Sequence, residues 1–318
     1  MLTTNQITEQ IEEYIRYMHS VGVELAHSLY SLRRFGRFTR EACYEGPLTW
    51  QIVKAFCERD GEKSSLKTKG RRFELISSFG KYAASIFPCS EVLPIQPYGR
   101  CHSRPRPHIY TDSEIGNLMK KSRTIYSPDG IRRLTLETAI GLMLTTGIRT
   151  IELVSLRIRD FDLDSGIITV RNGKNSKQRL LPLSKSVRNE LVSYRNAVER
   201  ILGTAHHEDE PFFLTTGGRP MTERSLEYAF SRIRDCIDVS DSDYKAALLY
   251  HLRHTFACRT IERWLESGED INSKIYILSN YMGHSHPEDT YWYLSSTDRI
   301  MKLASSRYEQ LFGGECDD

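Results

Sequence analysis

The sequence predicts a mainly α-helical protein of two domains that carries a small antiparallel β-hairpin. Apolar residues recur at helical spacing along most of the 318-residue chain. Four prolines interrupt this pattern at residues 94–108. Two short runs, the β-branched residues 167–170 and residues 179–183, which are apolar after Arg179, are typical of paired strands. A chain of this length can form two domains that each bury a core.

The composition is that of an ordinary globular protein, with 39% hydrophobic and 27% charged residues. The net charge of +3 is too small to identify a nucleic-acid-binding protein by itself. The seven cysteines are scattered and form no CxxC pair, which argues against a disulfide framework and predicts a reducing, cytoplasmic location. No signal-peptide pattern is present, and no apolar run approaches the roughly 18 residues of a membrane span, so we expect no membrane partner.

The first 93 residues are predicted to form an all-helical domain with a basic surface. Four amphipathic stripes run past Ile11, Leu29, Val53 and Ile76. Two basic clusters lie between the stripes: Arg33, Arg34, Arg37, Arg40, Lys63, Lys67, Lys69, Arg71 and Arg72. A single basic cluster is usually a solvated helix face. Two clusters on one small domain predict a DNA-binding surface that contacts phosphates.

Residues 94–108 are predicted to form a basic, proline-rich linker. Proline favours extended backbone at its own position and at the residue before it, so no helix is expected here. Arg100, Arg104 and Arg106 make the segment basic. An extended basic segment between two domains is suited to lie along a phosphate backbone of DNA.

The second domain is predicted to span residues 109–318. It begins at a capping box, in which the Thr111 hydroxyl caps a helix and Glu114 reaches back to the helix start. A long helix is expected to end near Gly147, and the hairpin of residues 167–183 follows. Further helices are predicted around residues 187–201, 222–237, 246–265, 275–281 and 300–311.

Four motifs of the second domain contain the residues that we expect to carry chemistry. They are TGIRTIEL with Arg149, NGKNSKQRLLPL with Lys174, YHLRHTFA with Arg253, and GHSHPEDTYWY with His284 and Tyr293. A phenol such as that of Tyr293 is a poor nucleophile at neutral pH, because its pKa is about 10. It becomes useful when positive charge surrounds both the phenol and an anionic electrophile such as a phosphodiester.

The order and spacing of these motifs resemble those of the tyrosine recombinases, the phage-type integrase family that includes lambda integrase and the Xer and Cre recombinases. The resemblance covers Thr111 to about Phe312, and the motifs are specific in combination. It implies a mixed α+β catalytic domain that acts on double-stranded DNA. The amino-terminal helices are compatible with the family's core-binding, SAM-like domain but carry no motif of their own.

The family pattern implies a role for each motif residue. Arg149 and Arg253 would clamp one phosphate, since the planar fork of arginine binds two oxygens at once. Glu152, one helical turn after Arg149, would hold that guanidinium in orientation. His284 would donate a hydrogen bond to the phosphate, and Tyr293, nine residues later, would attack it.

Two of these assignments leave alternatives. In the family, a hairpin lysine protonates the departing 5′ oxygen as a general acid, which favours Lys174 because it directly follows the hairpin glycine. Lys177 lies close by on the same hairpin. Tyr291 lies two residues before Tyr293 and competes for the role of nucleophile, although the spacing from His284 favours Tyr293.

The segment before Arg253 departs from the family pattern. The family usually has histidine three residues before this arginine, where this chain has Tyr250. His251 is one position further along the helix, a rotation of about 100°, and should face elsewhere. Tyr250 can hydrogen-bond a phosphate oxygen, but a protonated phenol is a poor general base. His254 is predicted to pack or hydrogen-bond internally.

Several side chains in this region are of types that bind metals: His251, His254, Cys258, His284 and His286. No HExxH motif and no Cys/His pair with zinc spacing is present. The arginines among these residues would also repel a cation. We therefore expect neither a metal nor another cofactor.

The resemblance predicts a site-specific recombinase or integrase that cleaves and rejoins DNA through a 3′-phosphotyrosyl intermediate, for integration, excision or transposition of a mobile element. Strand exchange would use a homotetramer, or a hetero-assembly with related recombinases. The helix at residues 300–311 would then dock on a neighbour, or else fold back on its own domain. Two other functions stay open: a type IB topoisomerase-like enzyme and a DNA-binding protein that has lost catalysis.

Overall fold

The computed structural model describes residues 6–23, 25, 28–61, 64–99, 101, 105–171, 178–205, 207–240 and 242–312, the last six without their side chains. The chain is mainly helical and has two small antiparallel sheets, which confirms the predicted fold class. It divides into two compact units, Met1–Arg104 and Pro105–Asp318. None of the described helices is long and apolar enough to cross a membrane.

The first unit contains four helices in its described part: α1 (Gln6–Ser20), α2 (Ser28–Glu41), α3 (Trp50–Glu58) and α4 (Leu66–Ile86). Each helix turns an apolar stripe inward, because residues three and four apart share one helical face. The stripes meet in a core of isoleucine, leucine, valine and aromatic side chains. The Ser65 hydroxyl caps α4 by accepting a hydrogen bond from the Thr68 N–H.

The chain after α4 packs back on the first unit. The Glu91 N–H donates to the Leu48 carbonyl (2.8 Å), and the Glu91 carboxylate accepts from the Trp50 N–H (2.7 Å). Further along, the Tyr98 ring lies 6.2 Å from the Trp50 ring. The boundary between the two units falls at Arg104, inside the stretch that the sequence assigns to a linker.

The second unit combines nine described helices with two sheets. The helices are α5 (Asp112–Ser122), α6 (Ile131–Thr146), α7 (Thr150–Val154), α8 (Lys185–Leu202), α9 (Glu223–Ser231), α10 (His251–Glu266), α11 (Ile271–Met282), α12 (Glu288–Tyr291) and α13 (Asp298–Phe312). The strands are β1 (Phe161–Asp162), β2 (Ile167–Val170), β3 (Arg179–Pro182), β4 (Leu214–Thr215) and β5 (Arg219–Pro220). Short 3₁₀ turns lie at Ile158–Asp160, Thr216–Gly218, Arg234–Cys236 and Trp292–Ser295.

Helix α6 is central to the second unit, since α5, α8, α9 and α10 all pack against it. Its side chains Leu136 and Ile140 are fully buried. The buried Thr135 hydroxyl is hydrogen-bonded to the Tyr194 hydroxyl (2.8 Å) and to the Leu214 carbonyl (2.5 Å). These bonds offset the cost of burying polar groups in the core.

The sheet formed by β1, β2 and β3 is antiparallel and follows chain order. Val170 of β2 lies opposite Arg179 of β3, and Val170 and Leu181 point into the core. The turn of this hairpin, which includes Lys174 and Lys177, lies outside the described residues. Arg179 therefore marks the base of the hairpin, next to its turn.

A smaller second core joins α10, α11 and α13. It contains Cys258, Leu278, Tyr293 and Ile300, all of them buried. Ile300 lies in the first turn of α13, so this helix begins folded against its own unit. This is one of the two arrangements that the sequence left open for the helix.

We expect Gly147→Ala to destabilise the second unit by about 2–4 kcal/mol. Gly147 ends α6 in the left-handed conformation (φ 60°), and a Cβ there would lie 2.4 Å from Phe256 Cδ1. The variant therefore adds backbone strain and a clash with a packed ring. Urea-induced unfolding, followed by circular dichroism, measures the loss of stability.

Gly203→Ala is the matched control. Gly203 ends α8 at φ 68°, and no atom of the described residues lies within 4 Å of a Cβ added there. This variant should lose the backbone contribution alone, about 1–2 kcal/mol. Equal losses in the two variants would show that Phe256 does not restrict position 147.

Candidate active site

Arg149 follows the end of α6, directly precedes α7 and has extended backbone. Its Nη1 donates to Glu152 Oε1 (2.8 Å), and its Nη2 donates to the Gly283 carbonyl (2.6 Å). Its backbone N–H donates to Glu152 Oε2 (3.1 Å). Glu152 is in the first turn of α7, where unpaired N–H groups and the helix dipole favour a carboxylate. The structure thus joins Arg149 to Glu152 and to the segment around Gly283.

Glu152 also holds a second arginine. Arg179 donates through Nη1 and Nη2 to the two carboxylate oxygens, at 2.9 and 2.5 Å. Burial would raise the pKa of the Glu152 carboxyl, but the hydrogen bonds and charges of Arg179 and Arg149 hold it below its usual range. The carboxylate is therefore ionised at neutral pH. No role was predicted for Arg179; its one signal in the sequence was its position beside the turn of the Lys174 hairpin.

Arg253 lies in the first turn of α10 and is fully buried, with 0% of its surface exposed. Its Nη1 donates to the Gly147 carbonyl, and its Nη2 donates to the Met282 carbonyl (2.6 Å). Its Nε has no partner among the described residues. Burial, followed by the charge of Arg149, lowers the pKa of Arg253 to about 10. The guanidinium therefore stays charged at neutral pH.

Gly283 ends α11 in the left-handed conformation (φ 66°) and lets the arginines approach closely. A Cβ at this position would lie 2.9 Å from Arg179 Nη1 and 3.3 Å from Arg149 Nη1. The consecutive carbonyls of Met282 and Gly283 accept from Arg253 and Arg149. Helix C-termini leave carbonyls without intrahelical partners, and their dipole favours cations. The two carbonyls at the end of α11 therefore hold the guanidiniums of Arg253 and Arg149 in place.

These contacts place the guanidiniums of Arg149 and Arg179 on the Glu152 carboxylate, and the guanidinium of Arg253 on the carbonyls of Gly147 and Met282. Three positive charges and one negative charge leave a formal charge of +2. The guanidinium charges of Arg149 and Arg253 repel each other, which is one cause of the lowered pKa of Arg253. An anion that enters the site would relieve this repulsion.

His284 follows Gly283 directly, and its ring Nδ1 is hydrogen-bonded to Thr290 Oγ1 (2.6 Å). Thr290 is buried in α12 and holds the ring from a position to which the sequence assigned no role. The Tyr293 ring lies nearly parallel to the His284 ring, with 6.3 Å between centroids and 15° between planes. Tyr293 itself is only 2% exposed. The rings of His284 and Tyr293 thus lie side by side, next to the end of α11 that holds Arg149 and Arg253.

Tyr291, the alternative nucleophile, is 38% exposed and meets the Tyr276 ring edge-on at 6.4 Å. A hydrogen bond with Tyr276 raises the pKa of Tyr291, which makes this phenol harder to ionise. The two candidates for the general acid, Lys174 and Lys177, lie outside the described residues.

Tyr250 precedes α10 and keeps 42% of its surface exposed. Its ring meets His254 edge-on at 4.9 Å, and the His254 ring lies 5.5 Å from that of Tyr293. His251 is buried, and burial together with the charge of His108 lowers its pKa to about 4. Tyr250 and His254 thus connect the surface with Tyr293, while His251 is neutral in the interior. In the described part of the chain, no three side chains are grouped so as to hold a metal ion.

The predicted DNA-binding residues of the first unit differ in their surroundings. Arg72 donates to the Cys57 carbonyl and pairs with Asp60, whereas Arg33 pairs with Glu12 at the surface (3.1 Å). The exposed residues are Arg34, Arg37, Arg40 and Arg71, and the half-buried ones are Lys67 and Lys69. Three further residues lie outside the described part: Lys63, Arg100 and Arg104.

Arg59, which was not singled out from the sequence, lies near these residues, but only 15% of its side chain is exposed and its guanidinium lies 4.2 Å from the centroid of the Phe56 ring. Burial lowers the pKa of Arg59, and the charges of Arg34 and Arg72 lower it further. These three arginines therefore lie close together. Arg106 belongs to the second unit, where its exposed guanidinium donates to the Asp298 carboxylate (3.5 Å).

Curated proteins of similar sequence are named as integrases or recombinases. The integrase/recombinase y4rE of Sinorhizobium fredii is 28% identical over 94% of this chain and 94% of its own length. The tyrosine recombinase XerC of Chlamydia caviae is 29% identical over 78% of this chain and 73% of its own length.

Two solved structures share the fold at low sequence identity. The Tn1549 transposon integrase in complex with circular intermediate DNA matches with a TM-score of 0.66 and 18% identity, over 96% of this chain and 99% of its own. A lambda integrase dimer bound to a core site matches with a TM-score of 0.62 and 15% identity, over 92% of this chain and 96% of its own.

The model of the phage integrase family matches residues 109–299, which is more than half of the chain. This range contains Arg149, Arg253, His284 and Tyr293. The resemblance predicted from the four motifs is thereby confirmed. The chain belongs to the phage integrase family of tyrosine-type site-specific recombinases.

Proposed function

We propose that this recombinase cleaves and rejoins double-stranded DNA through a 3′-phosphotyrosyl intermediate, with Tyr293 as nucleophile. The observation that carries the proposal is the cationic site beside Tyr293, in which Arg149 and Arg179 share the Glu152 carboxylate and Arg253 is held by the carbonyls of Gly147 and Met282. A phosphodiester is both an anion, which this site would attract, and an electrophile, which a phenolate can attack. A site with a formal charge of +2 favours that anion over a neutral substrate.

Electrostatic stabilisation supplies the largest part of the rate in this proposal. A phosphodiester carries one negative charge, and a second develops as the phenolate adds to phosphorus. The guanidiniums of Arg149 and Arg253, with His284, would stabilise the added charge on the non-bridging oxygens. Because Nδ1 of His284 is engaged by Thr290, the phosphate contact of this ring would use Nε2.

The arginines keep donors available for a phosphate. A guanidinium has five N–H donors, and the Glu152 and Gly283 contacts of Arg149 use one on each Nη. The remaining donors form the fork that binds two phosphate oxygens. Glu152 and the backbone carbonyls thus fix the clamps before DNA arrives.

The bond changes balance without a cofactor. Tyr293 first loses its phenolic proton to solvent, which the neighbouring guanidinium charges favour. The bond from Tyr293 Oη to phosphorus then forms as the bond from phosphorus to the 5′ oxygen breaks, and Lys174 gives its proton to that oxygen. The phosphotyrosyl bond stores the energy of the phosphodiester, so a 5′ hydroxyl of a second duplex can rejoin the strand. Because Tyr293 is buried in the free protein, we expect the segment that carries it to move when DNA binds.

The biological setting is also a proposal. Four protomers on two duplexes would carry out strand exchange, and the likeness to a transposon integrase supports a role in integration, excision or transposition of a mobile element. The cysteines of the described residues are all free thiols, which agrees with a reducing cytoplasm. The substitution at Tyr250 favours one alternative, a protein that binds DNA but has lost cleavage.

Covalent capture tests the nucleophile. The protein is incubated with a pool of short nicked duplexes of random sequence, and protein-linked DNA is isolated under denaturing conditions and sequenced. We expect the wild type to capture DNA, because the short strand between the cleavage site and the nick dissociates and takes the 5′ hydroxyl with it. Tyr293→Phe should capture none, because only Tyr293 forms the covalent bond. Tyr291→Phe, the matched control, should capture DNA like the wild type. Capture by Tyr293→Phe would contradict the assignment, and a salt-sensitive complex that never becomes covalent would indicate the binding-only protein.

We expect Tyr250→His to keep or raise the rate of capture on the duplexes recovered from that pool. An imidazole with a pKa of about 6.5 accepts a proton at neutral pH, whereas a phenol does not. The gain should appear as pH rises through this value, and rates measured from pH 5 to pH 9 would detect it. Tyr250→Phe keeps the ring beside His254 and serves as the control. Complete loss of activity in Tyr250→His would show that the Tyr250 hydroxyl has an essential role.

A further inference from the structure

We propose that Arg179 is a positioning residue for Arg149, and that it acts through the carboxylate of Glu152. It would thereby couple the base of the β2–β3 hairpin to the phosphate clamp. The inference rests on the proposed function, since it concerns the same cleavage site. No role for Arg179 follows from the motif residues alone.

Both oxygens of Glu152 are shared between the two arginines. Oε1 accepts from Arg149 Nη1 (2.8 Å) and from Arg179 Nη1 (2.9 Å). Oε2 accepts from the Arg149 N–H (3.1 Å) and from Arg179 Nη2 (2.5 Å). Because Arg179 grips both oxygens, it fixes the plane of the carboxylate, and that plane sets the direction of the Arg149 guanidinium.

Arg179 is turned towards the carboxylate and not towards solvent. Only 10% of its side chain is exposed, and both Nη atoms are bonded to Glu152. Its Nε is buried and has no partner among the described residues. A Cβ on Gly283 would lie 2.9 Å from its Nη1, so backbone closes over the guanidinium on that side. These surroundings suit a supporting role better than direct contact with DNA.

The position of Arg179 at the start of β3 links the β2–β3 hairpin to Arg149. Arg179 begins β3 opposite Val170, the last residue of β2. A displacement of the hairpin would therefore move Arg179, the Glu152 carboxylate and Arg149 together. In the proposed reaction Arg149 holds the phosphate, so a support for Arg149 that comes from β3 ties the position of the phosphate to the hairpin base.

The rate of covalent capture by Arg179→Gln tests the coupling, with saturating amounts of a nicked duplex recovered from the random pool. We expect a fall of about 10²-fold, the usual effect of misplacing a catalytic group by about 1 Å. Arg179→Lys keeps the charge but loses the two-pronged grip, so its rate should lie between those of the wild type and Arg179→Gln. The Arg179→Gln/Glu152→Gln double variant should be no slower than the slower single variant, because both changes remove one unit.

Arg171→Gln is the matched control. Arg171 follows β2 on the facing side of the same hairpin and pairs with Asp160 (2.6 Å), so this variant also removes one charge and one ion pair. The Kd for the duplex and its dependence on salt should be equal in Arg171→Gln and Arg179→Gln. Equal capture rates in these two variants, or fully additive losses in the double variant, would overturn the inference. A salt slope smaller by about one in Arg179→Gln would instead make Arg179 a phosphate contact.

Hydrogen exchange separates this inference from the proposed function. If the wild type captures no DNA, the proposed function fails, but the coupling of Arg179 to Arg149 is still measurable. The amides of residues 149–154 should then exchange faster in Arg179→Gln than in Arg171→Gln, because the Arg149 N–H relies on the Glu152 carboxylate. Equal exchange in the two variants would overturn the coupling.

Discussion

The site depends on one buried carboxylate. Glu152 is ionised at neutral pH because Arg149 and Arg179 supply the hydrogen bonds and charge that burial removes. An isolated buried carboxylate would cost several kcal/mol, and isolated buried guanidiniums would cost a similar amount. Together they form a compact unit that keeps an excess of positive charge. This excess is what a phosphate-binding site needs.

The ends of two helices complete the arrangement. Gly147 ends α6 and Gly283 ends α11, both in the left-handed conformation, and the carbonyls at these ends accept from Arg253 and Arg149. Terminal carbonyls lack intrahelical partners, so capping them satisfies the backbone as well as the arginines. Backbone of two helices therefore holds Arg149 and Arg253 in fixed positions. The rotamer freedom of these two long side chains is thereby reduced in the free protein, which would favour the proposed binding of a phosphate.

Much of the fold was predictable, because local patterns determine it. Helical periodicity identified the four helices of the first unit, and the capping box at Thr111 marked the start of α5. The hairpin followed from two apolar runs and a turn. By contrast, the packing of Tyr98 on the first unit was not visible, because proline and arginine composition alone does not reveal tertiary contacts.

The candidate site was predictable only as far as motif spacing reaches. Spacing brought Arg149, Arg253, His284 and Tyr293 into one hypothesis, and these residues lie in one region of the second unit. The support residues Arg179 and Thr290 were missed, since their partners are tertiary and 27 and six positions away. The motif GHSHPEDTYWY likewise gave no indication that the Tyr293 side chain would be buried.

The central claim, that an ionised Glu152 holds the arginines, is tested by the stability of wild type and Glu152→Gln as a function of pH. The pKa of Glu152 is lower in the folded than in the unfolded chain, so its contribution is present above the unfolded value of about 4.3 and is lost as pH falls through the folded value. We predict that the wild type is more stable by about 3–5 kcal/mol at pH 7. The difference should shrink below about pH 4.3 and vanish once Glu152 is protonated, because glutamine mimics the neutral carboxyl. A difference in unfolding free energy that stays constant from pH 7 to pH 3 would contradict the account.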